Sequence, residues 1–386
     1  MRKPVLMDLE RAREVMRQYG LDALAPNTRM HIYYTSDFPV WEYVFEPETV
    51  AFSVVPASES IEPYLVIPYV NRYSLLQYPT WIPNVVYFGN YYVSGAPDMP
   101  GVRTDSAIDG FVYALSEMGL TRGTIGLEFG MMPVRAFQEL QVTLPDVHFV
   151  DGSEALLSIR EIKNDEEIAR LRKAGDAVEK AILAGYAQLR AGMTERDLER
   201  LIARAIIDEG CHVNYIQIGA STHGAYGPVY PSDEPIKRGD LIRVDASAEY
   251  KYYVSDICRM AVIGEPTQQM VDTHRAVHDA MMTAVEMVKP GAVISDIFNA
   301  AVQIPPSRGY SDYRRHHIGH GLGMSSHEWP FLRPDNHRSL EENMVLCIET
   351  PYYVWEMGGL APEDELVVTR TGYELLTNPC KDLIVV

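Results

Sequence analysis

Residues 238–259, RGDLIRVDASAEYKYYVSDICR, carry two aspartates on two stretches that alternate like paired strands. Ile242, Val244 and Val254 supply apolar positions between polar neighbours, and the AEYK segment is expected to turn the chain. A hairpin of this kind brings Asp245 and Asp256 onto one sheet face. Two facing carboxylates repel, and one of them takes up a proton unless a divalent cation lies between them. The stretch therefore predicts a cation site whose remaining ligands come from later in the chain.

Three later segments supply them. HHIGHGLGMSSHEWP, residues 316–330, sets histidines in a glycine-rich run that permits a tight loop beside a ligand. A phosphate-binding loop is the competing reading, but neither GxGxxG after a strand nor GK[ST] is present. HExxH is also lacking, so a single-zinc helix site is not supported. MVLCIETPYY places Glu349 at the end of an apolar strand, and GLAPEDELVVT places Glu363 at the start of another. Alone, each glutamate reads as a solvated strand-end residue. Together with the hairpin, Asp245, Asp256, His320, Glu349 and Glu363 form an oxygen-rich set with one nitrogen, suited to two divalent ions such as Mn, Co, Fe or Zn.

Composition bounds the rest. The 386 residues are 47% hydrophobic and 23% charged, as in a globular protein, and suggest about two domains. No apolar run approaches the ~20 residues that span a bilayer. The N-terminus becomes charged before a signal-peptide core could form, so a cytoplasmic protein without a membrane partner is expected. A net charge of -19, spread along the chain, disfavours nucleic acid as a partner. Cys211, Cys258, Cys347 and Cys380 lie far apart without a CxxC pair, which signals neither a zinc ribbon nor a disulfide framework.

Apolar runs between Pro- and Gly-marked turns, interleaved with helical stretches, indicate an α/β domain over residues 1–157. Its aromatics Trp41, Tyr43, Trp81, Tyr91 and Tyr92 read as core or dimer contacts ahead of a substrate mouth. A second domain is expected over 158–386. It opens with an amphipathic helix through Ile168, Leu171, Ala174, Val178 and Ile182, and a second helix starts at Thr194 with Asp197 three residues on.

These motifs resemble, over nearly the whole chain, the pita-bread metallopeptidase family of aminopeptidase P, prolidase and methionine aminopeptidase. The family's VDxGxxxxGYxSDxTR is matched by VDASAEYKYYVSDICR, GHGxGxxxHExP by GHGLGMSSHEWP, IEP by IETP, and EDxxVVT by EDELVVT. The resemblance implies an α/β (α+β) fold, with a creatinase-like α/β N-terminal domain followed by a pita-bread catalytic domain, and a homodimer. It makes Asp245, Asp256, His320, Glu349 and Glu363 the dimetal ligands. A metal-bridging hydroxide would attack the carbonyl. Glu349 would pass the proton to the leaving nitrogen, His327 would steady the tetrahedral intermediate, and His316 would fall in the substrate pocket with a catalytic part.

The chain also departs from the family. A further histidine is expected near Pro228, where His223 or Tyr226 would have to bind substrate instead. An arginine that binds a substrate carboxylate is replaced by Ala361, which removes a bidentate partner. Ser247 replaces a glycine and Cys258 a threonine. The expectation is an intact metal site in an altered pocket. The enzyme would be an Xaa-Pro aminopeptidase or dipeptidase acting on short peptides. A nonpeptide small molecule, taken by an amide hydrolase or a dimethylsulfoniopropionate-type lyase, is the alternative, and a noncatalytic binding protein is the third.

Overall fold

The computed structural model describes residues 4–41, 46 and 48–386; Tyr43 lies outside the described residues. The chain forms two compact units, Met1–Arg160 and Glu161–Val386. The helix Ser153–Arg160 runs through the expected boundary at 157/158. Arg160 closes the first unit because its guanidinium reaches His31 Nε2 at 2.6 Å. No helix among the described residues is long and apolar enough to cross a membrane.

The first unit is built on a mixed sheet of seven strands. Their spatial order is Val102–Thr104, Asn84–Phe88, Tyr64–Pro68, Phe52–Pro56, Ala23–Leu24, Thr124–Leu127 and His148–Asp151. The helix Ala107–Glu117 starts at a Ser106–Asp109 capping box and buries Ile108, Phe111, Ala114 and Leu115 against Phe52, Val66 and Ile125. Trp81 is core, its Nε1 donating to Thr35 O at 2.9 Å, whereas Trp41, Tyr91 and Tyr92 are exposed.

In the second unit the helices Asp165–Gln188 and Glu195–Asp208 each begin at a capping box, Asn164 with Glu167 and Thr194 with Asp197. Their apolar stripes, including Val178, Ile182, Leu198 and Ile202, pack on Ile242, Val244 and Ala246 of the strand Leu241–Tyr250. Alternation along that strand turns Arg243 and Asp245 to the opposite face. Burial on one face thus fixes the register that aims the carboxylate.

The hairpin forms, but its turn differs from the expected AEYK. Leu241–Tyr250 stays paired to its end, with Tyr250 opposite Tyr253 and Glu249 opposite Val254. Lys251 and Tyr252 alone reverse the chain, at φ 49° and 72°. A two-residue turn with both φ values positive matches the twist of paired strands, and it normally takes Asn-Gly. Lys251→Asn with Tyr252→Gly should therefore stabilise the protein by roughly 1 kcal/mol, the left-handed cost relieved less the freedom glycine gains when unfolded. A rise in the urea midpoint at unchanged slope checks this; a fall would show that the Tyr252 side chain outweighs its backbone.

Candidate metal centre

Five consecutive antiparallel strands position the five expected ligands, four within them and Asp256 just before the second. Their spatial order is Leu241–Tyr250, Ile257–Val262, Glu363–Val368, Val345–Glu349 and Gly319–Gly321. Asp245 stands opposite Cys258, Cys258 opposite Glu363, and Glu363 opposite Glu349, which makes one row across the sheet. Asp256, two residues before Cys258, and Cys347, two before Glu349, point to the same face by alternation. His320 joins through its pairing with Cys347. Ligand atoms of Asp256, His320 and His327 lie within 4.8 Å of one another, as do those of His320, Cys347 and Glu363, and those of Asp245, Cys258 and Glu363.

Hydrogen bonds leave some of the atoms facing this cluster free, although Glu349 Oε1 meets His317 and its Oε2 meets Arg315. His320 Nδ1 lies 3.1 Å from Gly321 O, which favours the tautomer with a proton there and leaves a lone pair on Nε2. Among the described residues Nε2 is buried without a hydrogen-bond partner, and so is Asp245 Oδ1. The Tyr215 hydroxyl donates to Asp256, whose backbone N–H donates to Glu365 Oε1 at 2.6 Å. Cys347 Sγ donates to Glu363 Oε1 at 3.2 Å and remains a thiol, because burial and the carboxylates raise its pKa. Orphaned buried atoms of ligand type beside crowded carboxylates are what a divalent cation would satisfy, so the residues fit the ions.

The electrostatics point the same way. Burial pushes the Asp245 carboxyl up to about 6 against the pull of the Arg243 guanidinium. Burial and then the neighbouring carboxylates raise Asp256 and Glu363 well above the ordinary range. Burial acts on Glu349 too, but His317 Nε2 at 2.6 Å and the Arg315 charge outweigh it and hold the carboxyl at about 2. Burial and then His327 drive His320 down to about 4, so its 4.0 Å approach to Asp256 is not an ion pair at neutral pH.

A pH dependence follows. Raised carboxyls bind more protons folded than unfolded, so they destabilise the metal-free protein as pH rises past their unfolded pKa values. The depressed His320 and Glu349 contribute the opposite slope, but theirs is complete above about pH 6.5, the unfolded histidine value. Between about pH 6.5 and 8.5 the metal-free protein should therefore lose stability, by at most ~1.4 kcal/mol per pH unit for each carboxyl still protonated. Melting curves with and without added metal check this; metal should flatten the slope, and a metal-free midpoint rising with pH would contradict it.

Other expected positions lie as follows. His327 is exposed beside the centre, its ring 4.0 Å from that of His320. His316 is exposed, its ring 4.3 Å from that of His317, and it is His317 that bonds Glu349. His223 Nδ1 is held by Glu195 Oε2 at 2.8 Å, and Tyr226 is exposed, stacked on Trp355 at 5.6 Å. Pro228 is exposed, while Ala361 is buried with its N–H 3.4 Å from Met260 Sδ. Sequence reading missed Arg243, Tyr215 and His317; the one signal available for Arg243 was a charge on the same strand face as Asp245.

Comparison with known proteins agrees with this arrangement. Residues 169–370 match metallopeptidase family M24, and residues 9–162 match the creatinase/prolidase N-terminal domain. An uncharacterized peptidase of Staphylococcus aureus is 33% identical over 237 residues, 60% of this chain and 66% of that protein, so the match spans just under two thirds of its length. An uncharacterized peptidase of Staphylococcus epidermidis is 28% identical over 377 residues, 96% of this chain and 98% of that protein. Among solved structures, a dipeptidase from Mycobacterium ulcerans is 26% identical, with a TM-score of 0.79 and coverage of 98% and 96%. The X-Pro aminopeptidase from Thermotoga maritima shares the fold at a TM-score of 0.81 and 24% identity, over 98% of this chain and 99% of that one. Sheet, carboxylate row and both matched segments agree: the chain is a member of metallopeptidase family M24, with a creatinase-like N-terminal domain followed by a pita-bread catalytic domain.

Proposed function

We propose that the protein is a hydrolase using two divalent ions, held by Asp245, Asp256, His320, Glu349 and Glu363, to cleave the bond to a proline nitrogen in short peptides. The observation that carries the reading is the row of inward-facing carboxylates closed by His320, whose Nε2 has no hydrogen-bond partner among the described residues. Bound divalent ions supply a water of lowered pKa and polarise a carbonyl. The chain's own groups do the rest. Glu349, held ionised by His317, takes a proton and returns it to the leaving nitrogen. His327, exposed beside the His320 ring, offers an N–H to the developing oxyanion. The stacked Tyr226 and Trp355 offer a flat apolar surface to a proline ring or a neighbouring side chain. The family resemblance extends the reading to a cytoplasmic homodimer.

A second reading keeps the metal centre and changes the substrate to a nonpeptide amide. Ala361 favours it, because no cation stands two residues before Glu363 to bind a peptide C-terminus. The test supplies metal-stripped protein with Mn, Co, Fe or Zn and measures product from Xaa-Pro dipeptides and longer Xaa-Pro peptides. Release with either length supports the peptidase and separates dipeptidase from aminopeptidase. Silence with metal bound rejects proline-directed cleavage in favour of the second reading.

A further inference from the structure

The helix Gln268–Met287 carries His274 and His278, which the chemistry above does not use. Four residues apart, they share one helix face a single turn apart. That face is turned inward, since the two residues are 3% and 7% exposed. Their ring centres lie 6.0 Å apart. Among the described residues, both ring nitrogens of His274 and Nε2 of His278 are buried without a hydrogen-bond partner. Buried polar atoms are nearly always paired, so three such atoms on two neighbouring rings need a physical reason.

Each ring is oriented from behind. Asp279 Oδ1 lies 3.6 Å from His278 Nδ1, too far for a hydrogen bond but near enough to favour the proton on that nitrogen and leave the lone pair on Nε2. The backbone oxygens of Cys380 and Lys381 act on His274 in the same sense, although neither makes a hydrogen bond of ordinary geometry. Burial, and then His278, push His274 down to about 4, so at neutral pH it is uncharged and carries a lone pair. A carboxylate or carbonyl behind an imidazole whose other nitrogen is open is the usual setting of a metal-ligating histidine. Two imidazoles on one zinc, at Zn–N distances of about 2.0–2.1 Å, place their ring centres about 5–6 Å apart, which agrees with the separation here. No third side chain among the described residues brings a ligand atom within 4.8 Å of both, so water would complete the shell. A cavity of about 160 Å³ beside His274, with Arg275, Lys381 and Asp382 in its wall, gives water access. Imidazole suits zinc and copper, whereas manganese prefers oxygen ligands.

We propose that His274 and His278 form a separate site for one borderline divalent cation, zinc first, outside the carboxylate row. The site does not depend on the hydrolase reading. A chain loaded with zinc then carries one ion more than the carboxylate row holds.

The test is zinc-edge anomalous diffraction from crystals of the whole protein soaked with Zn²⁺, with zinc counted per chain after dialysis in the wild type, His274→Gln and His278→Gln. The wild type should show an anomalous peak about 2.0–2.2 Å from one nitrogen of each ring. Each glutamine variant should hold one zinc fewer per chain and keep the rise in melting point that Mn²⁺ gives the wild type. A water between the rings without anomalous signal, or an equal zinc count in a folded variant, would overturn the inference. The wild-type map decides alone should both variants fail to fold. Zinc on the carboxylate row only would overturn the inference and leave the hydrolase reading intact, whereas zinc at neither place would count against both.

Discussion

Asp256→Asn is expected to lower kcat by at least about a thousandfold and to abolish tight metal binding, while the metal-free protein stays folded. The substitution keeps the shape of the side chain and an oxygen for the Tyr215 hydroxyl. What it removes is a carboxyl whose ionised form burial, Asp245 and Glu363 disfavour. Metal-free Asp256→Asn should therefore melt no lower than metal-free wild type, and its melting point should no longer rise when metal is added. This pairing separates a ligand from a structural residue, since a structural role would lower the metal-free midpoint as well. Turnover close to wild type would remove Asp256 from the metal centre.

Arg259→Met is expected to cost about 3–5 kcal/mol of stability, the range for stripping one partner from a buried ion pair. Arg259 is 1% exposed. Its Nη2 donates to Asp364 Oδ1 at 2.6 Å, Glu179 Oε1 at 2.9 Å and Asn378 O at 3.0 Å, and its Nη1 to Glu363 O at 2.8 Å. One guanidinium thus ties the helix Asp165–Gln188, the strand Glu363–Val368 and the chain near Asn378 to the hairpin. Methionine fills much of the volume but leaves Asp364 buried without its counter-charge. Chemical denaturation should show the loss at unchanged slope. Metal affinity in the surviving folded fraction should fall less than in Asp256→Asn, because the guanidinium holds the backbone of Glu363 rather than a ligand atom. A loss under about 1 kcal/mol would show that Asp364 takes up a proton at little cost.

The parts of this architecture legible in the sequence are those written in period-two alternation and end signals. Val244 and Ala246 on one face and Asp245 on the other could be read directly, as could Thr194 with Asp197 at a helix start. The ligand set was legible because each member sits in a short motif, Asp256, Glu349 and Glu363 at strand ends and Asp245 within an alternating strand. The turn was misplaced because neither Lys251 nor Tyr252 is a glycine, so nothing local marks the two residues with positive φ. His316 and His317 are adjacent, and which one meets Glu349 depends on the bend before Gly319, at φ 147°, rather than on spacing. Arg243 was invisible for a different reason. On an alternating strand a charged residue reads as solvent-facing, and the Tyr226 and Gly227 carbonyls and the Tyr353 ring that enclose it come from distant segments.

The central claim is that five residues on or beside five neighbouring strands form one metal centre. Anomalous diffraction from crystals of the protein grown with Mn²⁺, recorded at a wavelength where manganese scatters anomalously, tests it most directly. The account predicts density bounded by Asp256, His320, Glu349 and Glu363, with a second peak beside Asp245. Ions bound elsewhere, or a strong anomalous signal only at surface carboxylates while these five side chains keep their hydrogen bonds to protein, would contradict it.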